Sequence, residues 1–126
     1  MEKVLIVNDC KFEEVILKDL LENMGYIVKV EDESNVIDGV SKFSPDIVII
    51  NMVMRENKGN EVIEKIKKFN NKIKCILSSS TPLRLEDYEN NGVDNIVHTP
   101  INKEKLIEAL NFKKELSQCP YCGKNL

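Results

Sequence analysis

The run Ile47-Val48-Ile49-Ile50 constrains this chain more than any other segment. Four consecutive apolar residues fit a strand buried on both faces, as found in parallel sheets covered by helices. Ser44-Pro45 precedes the run, and the residue before a proline is pushed out of helical conformation; Asn51 closes it. Val4-Leu5-Ile6-Val7, ended by Asn8-Asp9, repeats the pattern near the start. Between the two runs the period changes. Val15, Ile16, Leu20, Leu21 and Met24 recur at helical spacing among Glu13, Glu14, Lys18, Asp19 and Glu22, and Gly25 follows as a stop.

The alternation continues along the chain. Residues 26–30 read as a second strand, 34–43 as a short helix with Val36, Ile37 and Val40 inward, and 46–51 as a central third strand. Gly59 opens a helix with Val62, Ile63 and Ile66 on one side. Residues 72–78 supply a fourth strand, 83–90 a short polar helix stopped by Asn91-Gly92, and 94–98 a fifth strand. Residues 102–116 form a last helix carrying Leu106, Ile107 and Leu110. Five strands alternating with five helices predict a doubly wound α/β fold, a five-stranded parallel sheet with helices on both faces. Residues 1–116 make one domain and 117–126 a tail. In such sheets the functional crevice lies outside the carboxyl ends of the strands, where the strand order switches. The candidates there are Asn8, Asp9, Asn51, Ser78 and Thr99.

With 126 residues, the chain has room for one core. Eighteen Lys plus Arg against twenty-one Asp plus Glu give a net charge of -3. No positive surplus exists to neutralise nucleic-acid phosphates, so no nucleic-acid partner is expected. The longest apolar run falls far short of the roughly 20 residues that span a bilayer, so no membrane association is expected either. Met1-Glu2-Lys3 leads directly into a strand-like run, so no secretion signal is expected. Cys10 and Cys75 stand alone while Cys119 and Cys122 form a Cys-x-x-Cys pair, a pattern of a reduced, cytoplasmic chain.

At the strand ends the chain resembles the response-regulator receiver family, flavodoxin-like domains that accept a phosphoryl group from a histidine kinase onto an aspartate. The resemblance covers residues 3–116. Val4-Leu5-Ile6-Val7-Asn8-Asp9 is similar to the family's first strand with its acidic pair. Asp46-Ile47-Val48-Ile49-Ile50-Asn51-Met52-Val53-Met54 is similar to the phosphoacceptor strand and its loop, and Gly59 falls at the loop glycine. Ile76-Leu77-Ser78-Ser79 resembles the fourth strand with its switch residue. Val97-His98-Thr99-Pro100-Ile101 resembles the Lys-Pro-aromatic segment after the fifth.

Against that pattern the chemical set is depleted. Asn51 stands in the place of the phosphoaccepting aspartate, and an amide is not the carboxylate nucleophile that the displacement requires. Asn8 and Asp9 stand for two acidic metal ligands, so Mg²⁺, which prefers carboxylate oxygens, is not expected. Thr99 replaces a lysine and brings no positive charge. The losses are coherent, because a buried lysine stripped of its carboxylates would cost on the order of a few kcal/mol. Ile96 stands where the switch aromatic often sits.

The resemblance therefore implies a pseudo-receiver: a phosphorylation-independent signalling or adaptor module that acts on a protein partner, with no enzymatic step. The family's interaction face would carry Leu83, Arg84, Glu86, Tyr88, Asp94, Lys103, Lys105, Lys113 and Lys114, whose mixed charge permits a homodimer or a different partner. The alternative is a small-ligand or metal sensor using either the vacated pocket of Asn8, Asp9, Val53, Ser78 and Thr99 around Asn51, or the cysteine tail. Asn51 either satisfies backbone groups or binds an anion, and Asp9 with Asn51 and the Val53 carbonyl could hold a weak cation. Cys10 is either an inert helix-start residue or a reactive thiol. His98 is expected at the surface and Cys75 in the core.

Cys119-Pro120-Tyr121-Cys122-Gly123 lies outside the receiver pattern and looks like a zinc knuckle. The proline fixes the turn, Gly123 frees backbone amides to face the thiolates, and both sulfurs reach one ion at about 2.3 Å. A structural zinc takes four ligands. The second pair is expected from another copy's tail or from a partner's knuckle; a redox pair, or no metal, is the other reading of the motif.

Overall fold

The apolar runs become the strands. The structure, a computed structural model, describes residues 2–111. Strands β1 (Lys3–Val7), β2 (Ile27–Glu31), β3 (Ile47–Asn51), β4 (Lys74–Ser79) and β5 (Asn95–His98) form one parallel sheet in the order β2-β1-β3-β4-β5. Helices α1 (Lys11–Asn23), α2 (Val36–Phe43), α3 (Gly59–Phe69) and α4 (Lys103–Asn111) complete the doubly wound α/β fold predicted from the sequence.

Because successive side chains of a strand point to opposite faces, each apolar run feeds two cores. Leu5, Val7, Val48, Ile50 and Leu77 pack with Val36 and Val40 of α2 and with Val62, Ile63 and Ile66 of α3. Val4, Ile6, Ile49, Ile76 and Val97 pack on the other side with Leu17 and Leu21 of α1 and Leu106 and Leu110 of α4. Each such side chain, fully buried, contributes about 1.5–3 kcal/mol.

Register then sets the site. Val7 pairs with Ile50, Asn51 with Ser78, and Ser79 with His98, so the residues that end β1, β3, β4 and β5 stand side by side. The strand order turns at β1, which has β2 on one side and β3 on the other. This is the switch point at which doubly wound sheets open a crevice.

Four local expectations fail. Residues 83–90 do not form an α-helix; they make two 3₁₀ turns, Leu85–Asp87 and Glu89–Asn91, closed by bonds such as Asp87 N–H to Arg84 O at 3.0 Å. Leu83 and Leu85 are two residues apart, a spacing that cannot share a helix face, and Gly92 adopts a φ of +94° that ends the segment. Val15 and Ile37 are exposed. Leu17 and Leu21 set the inward stripe of α1, and Val15 lies about 200° around the helix from Leu17. In α2, Val36 and Val40 face inward and Ile37 is turned away; a 3₁₀ turn, Glu33–Asn35, precedes the helix in place of its expected first residues. The expected end of the last helix, the boundary at residue 116 and the tail lie outside the described residues. No helix among the described residues is long and apolar enough to cross a membrane.

Candidate functional site

The loop leaving β1 is shaped by Asn8, which is only 8% exposed. Its Oδ1 accepts the Cys10 N–H at 2.8 Å and its Nδ2 donates to Glu13 at 3.1 Å. The amide therefore closes a local turn and ties it to the first turn of α1. Asp9 is exposed, and its Oδ1 accepts from the Nδ2 of Asn51 at 3.3 Å. The same Nδ2 donates to the Val53 carbonyl at 2.8 Å. Reversing the Asn51 amide would set its oxygen against two acceptors, so the network requires the nitrogen to face them. One uncharged NH₂ group thus engages the Asp9 carboxylate and the Val53 carbonyl together.

Gly59 lets α3 begin directly under this strand end. A Cβ there would lie 2.4 Å from the Asn51 carbonyl oxygen and 2.8 Å from Leu77 Cδ1. The intervening loop is pinned from elsewhere. Glu33 accepts the backbone N–H groups of Arg55, Glu56 and Asn57 at 3.1, 3.2 and 3.1 Å, and the Asn57 side chain at 3.0 Å. Desolvation pushes the Glu33 carboxyl upward, but these hydrogen bonds outweigh it and hold the group below the usual glutamate range.

On the other flank, Ser78 is fully buried and its hydroxyl finds no hydrogen-bond partner. Ser79 turns its Oγ to the backbone of Thr81, accepting from the N–H at 3.1 Å and donating to the carbonyl at 2.9 Å. The turn that leaves β4 is thus held by Ser79 and Thr81 themselves. Thr99 donates its N–H to the Ser79 carbonyl at 2.8 Å. The Lys105 ammonium binds the Pro100 carbonyl at 3.1 Å and the His98 carbonyl at 3.5 Å. His98, expected as a free surface residue, is half-buried and accepts the Leu83 N–H on Nε2 at 3.1 Å. The ring anchors the loop that replaced the expected helix.

Asp9, Asn51 and Val53 are therefore in contact, Ser78 is the ladder partner of Asn51, Thr99 is bound to the Ser79 backbone, and Asn8 is turned toward Glu13. Sequence reasoning missed Glu13, Glu33 and the His98 acceptor. Only Glu13 had a legible signal, an acid in the first turn of a predicted helix. Cys75 is in the core, where burial pushes its thiol up to about 12, while Cys10 is exposed. Along the expected interaction face Arg84 pairs with Glu86, and Asp94 with Lys67 at 2.7 Å. Beside the site runs a groove of about 280 Å³ lined by Phe12, Glu13, Ile16, Thr99, Pro100 and Ile101. Phe12 is 72% exposed and Val53, at the same end of the sheet, 73%. No group of three or more His, Cys, Asp or Glu among the described residues could hold a metal ion. Cys119 and Cys122 lie outside the described residues.

This sheet order, with its polar residues gathered at the switch point, defines a flavodoxin-like domain. The chain belongs to the response regulator receiver domain family, which matches residues 4–111, and is a receiver of two-component signalling. It is 31% identical over 115 residues to a chemotaxis protein CheY of Thermotoga maritima, covering 87% of this chain and 95% of that one. It is 27% identical over 115 residues to Protein CcdB of Bacillus subtilis, covering 88% and 96%. The chemotaxis protein CheY4 of Vibrio cholerae has the same fold, with a TM-score of 0.81 at 20% identity over 87% of this chain and 96% of that one.

Proposed function

We propose that this receiver works without taking up a phosphoryl group and acts in the cytoplasm by contact with a protein partner. The observation that carries the reading is the Asn51 amide, bonded at once to Asp9 and to the Val53 carbonyl. A Mg²⁺ ion held here would need those two oxygens and a third from residue 51. In place of the third stands an N–H donor already serving the other two, only one of which is a carboxylate. A hard cation wants oxygen ligands, carboxylates above all, so these residues do not fit it. The Asn8 oxygen is committed to Cys10, and none of Asn8, Asp9, Asn51, Ser78 and Thr99 brings the positive charge that would balance a phosphoryl oxygen. The loops on both flanks are pinned, one by Glu33 and the other by Ser79 and His98, which supports a domain held in one conformation. Phe12, Val15 and Val53 offer exposed apolar surface for a partner.

Incubation of the full chain with acetyl phosphate and Mg²⁺, followed by intact-mass measurement, tests the reading. The expected result is an unchanged mass; gain of one phosphoryl group on the chain overturns it. A second reading, a small-ligand sensor, rests on the buried, unpartnered Ser78 hydroxyl. Thermal stabilisation by a phosphorylated metabolite, lost in Ser78→Ala, would favour that reading.

A further inference from the structure

We propose that His98 is a proton-operated latch: its neutral ring holds the loop after β4 closed, and protonation of Nε2 releases that loop with the apolar side chains it carries. The latch is separate from the reading of Asn51, which concerns phosphoryl input. His98, the one histidine of the chain, ends β5, and its Nε2 accepts the Leu83 N–H at 3.1 Å. In a neutral imidazole one nitrogen accepts and the other donates, so this bond fixes the proton on Nδ1. A proton taken from water onto Nε2 turns the acceptor into a donor, and two N–H groups then face each other. The bond cannot survive that change. Histidine is the side chain whose ordinary titration falls in the physiological range, about pH 5–8.

The loop is placed to feel the loss. Pro82 has no N–H to offer. The N–H groups of Thr81, Asp87 and Tyr88 are held locally, by Ser79, Arg84 and Leu85, whereas that of Leu83 reaches across to β5. Leu83, Leu85 and Tyr88, all half-buried, pack on the core of Val62, Ile63 and Ile66, as does Ile96 of β5. Freed at Leu83, the three loop residues can leave that core and enlarge the apolar surface open to a partner. The charges around the ring are mixed. On α4, Lys105 and Glu108 line a groove with His98, and the Lys105 ammonium lies 3.5 Å from the His98 carbonyl. The loop brings Arg84, paired with Glu86, and Asp87; the ladder partner on β4 is the uncharged Ser79. The decisive interaction is therefore the single bond to Leu83. With the ring neutral the domain keeps one conformation, and the proton is the input that releases it.

Amide-resolved NMR of the full chain from about pH 8 to about pH 5, with hydrogen exchange and the ¹⁵N shifts of the imidazole, tests the latch. At the high end the ring should be the Nδ1–H tautomer and the Leu83 amide protected. As the ring titrates, protection at Leu83, corrected for the intrinsic exchange rate, should fall about tenfold, with shifts at Leu85 and Tyr88, while Ile6 and Ile49 in the sheet stay protected. His98→Gln offers an uncharged acceptor at similar reach, so its Leu83 amide should stay protected at both ends of the range. An Nε2–H tautomer at the high end, or protection at Leu83 that does not change as the ring titrates, overturns the proposal in the unmodified chain. A loss of the same size in His98→Gln overturns it as well, because the proton would then act elsewhere.

Discussion

Asn51→Asp returns a carboxylate to the end of β3 and inverts the local chemistry. The nitrogen that lies 3.3 Å from Asp9 Oδ1 and 2.8 Å from the Val53 carbonyl becomes an oxygen, so two hydrogen bonds become two repulsive contacts. Unit charges at that separation repel by about 5 kcal/mol at an effective dielectric of 20 and by about 1.3 kcal/mol at that of water. Asp9 is exposed and Asn51 half-buried, so the lower part of the range applies, ~1–2 kcal/mol. Loss of the bond to Val53 adds about 1 kcal/mol. The variant should therefore lose ~2–3 kcal/mol at pH 7 in the presence of a chelator. The repulsion needs both carboxylates ionised, so one of the new pair protonates at a raised pH, and the penalty fades as the pH falls through that value. Mg²⁺, now offered two carboxylates and a carbonyl, should restore part of the lost stability. Urea unfolding followed by circular dichroism, with chelator or with Mg²⁺, reads all three effects. A variant as stable as the parent in chelator, or a parent whose midpoint rises with Mg²⁺ as far as the variant's, refutes the reasoning.

Gly59→Ala sets a methyl group 2.4 Å from a backbone oxygen that cannot swing aside. Overpacking of ~1–3 kcal/mol less up to ~1 kcal/mol of helix preference predicts a net loss near 1–2 kcal/mol in urea unfolding; a gain in stability contradicts the close approach. Ser78→Ala removes a buried hydroxyl that has no partner, so stability should hold or rise by up to about 1 kcal/mol, and a larger loss would show that the hydroxyl is bonded. The Glu33 carboxyl sits below its usual range in the folded chain, so its contribution is complete above about pH 4.3, the value of a free glutamate, and is lost as the pH falls through the lower folded value. Glu33→Gln should flatten that acid limb and speed amide exchange at Arg55, Glu56 and Asn57; unchanged exchange there would mean that the carboxylate does not hold the loop.

Much of the fold was legible because buried parallel strands leave an unmistakable trace. Ile47-Val48-Ile49-Ile50 and Val4-Leu5-Ile6-Val7 feed two cores at once, and no solvent-facing segment needs such runs. The ends of those runs also gave the candidate site, since a strand closes where its polar residues begin. What the pattern could not carry was side-chain direction and non-local bonding. Val15 and Ile37 are apolar and near the right period, yet Leu17 and Val40 set the inward stripes. Residues 83–90 read as a short polar helix ahead of the Asn91-Gly92 stop, but the loop is organised by the Ser79 hydroxyl and the His98 ring, fifteen residues from Leu83. Glu33, twenty-four residues before its partner Asn57, is likewise invisible to any local rule.

The central claim is that the Asn51 amide, bonded to Asp9 and to the Val53 carbonyl, offers no acceptor for a phosphoryl group and keeps the domain in one state. Amide-resolved NMR of the full chain with Mg²⁺ and beryllofluoride tests it most directly, because beryllofluoride mimics a phosphoryl group on an aspartate. The account predicts superimposable spectra with and without the additions, including at Asp9, Val53, Ser78 and Thr99. Saturable shifts at those residues in the unmodified chain would contradict it.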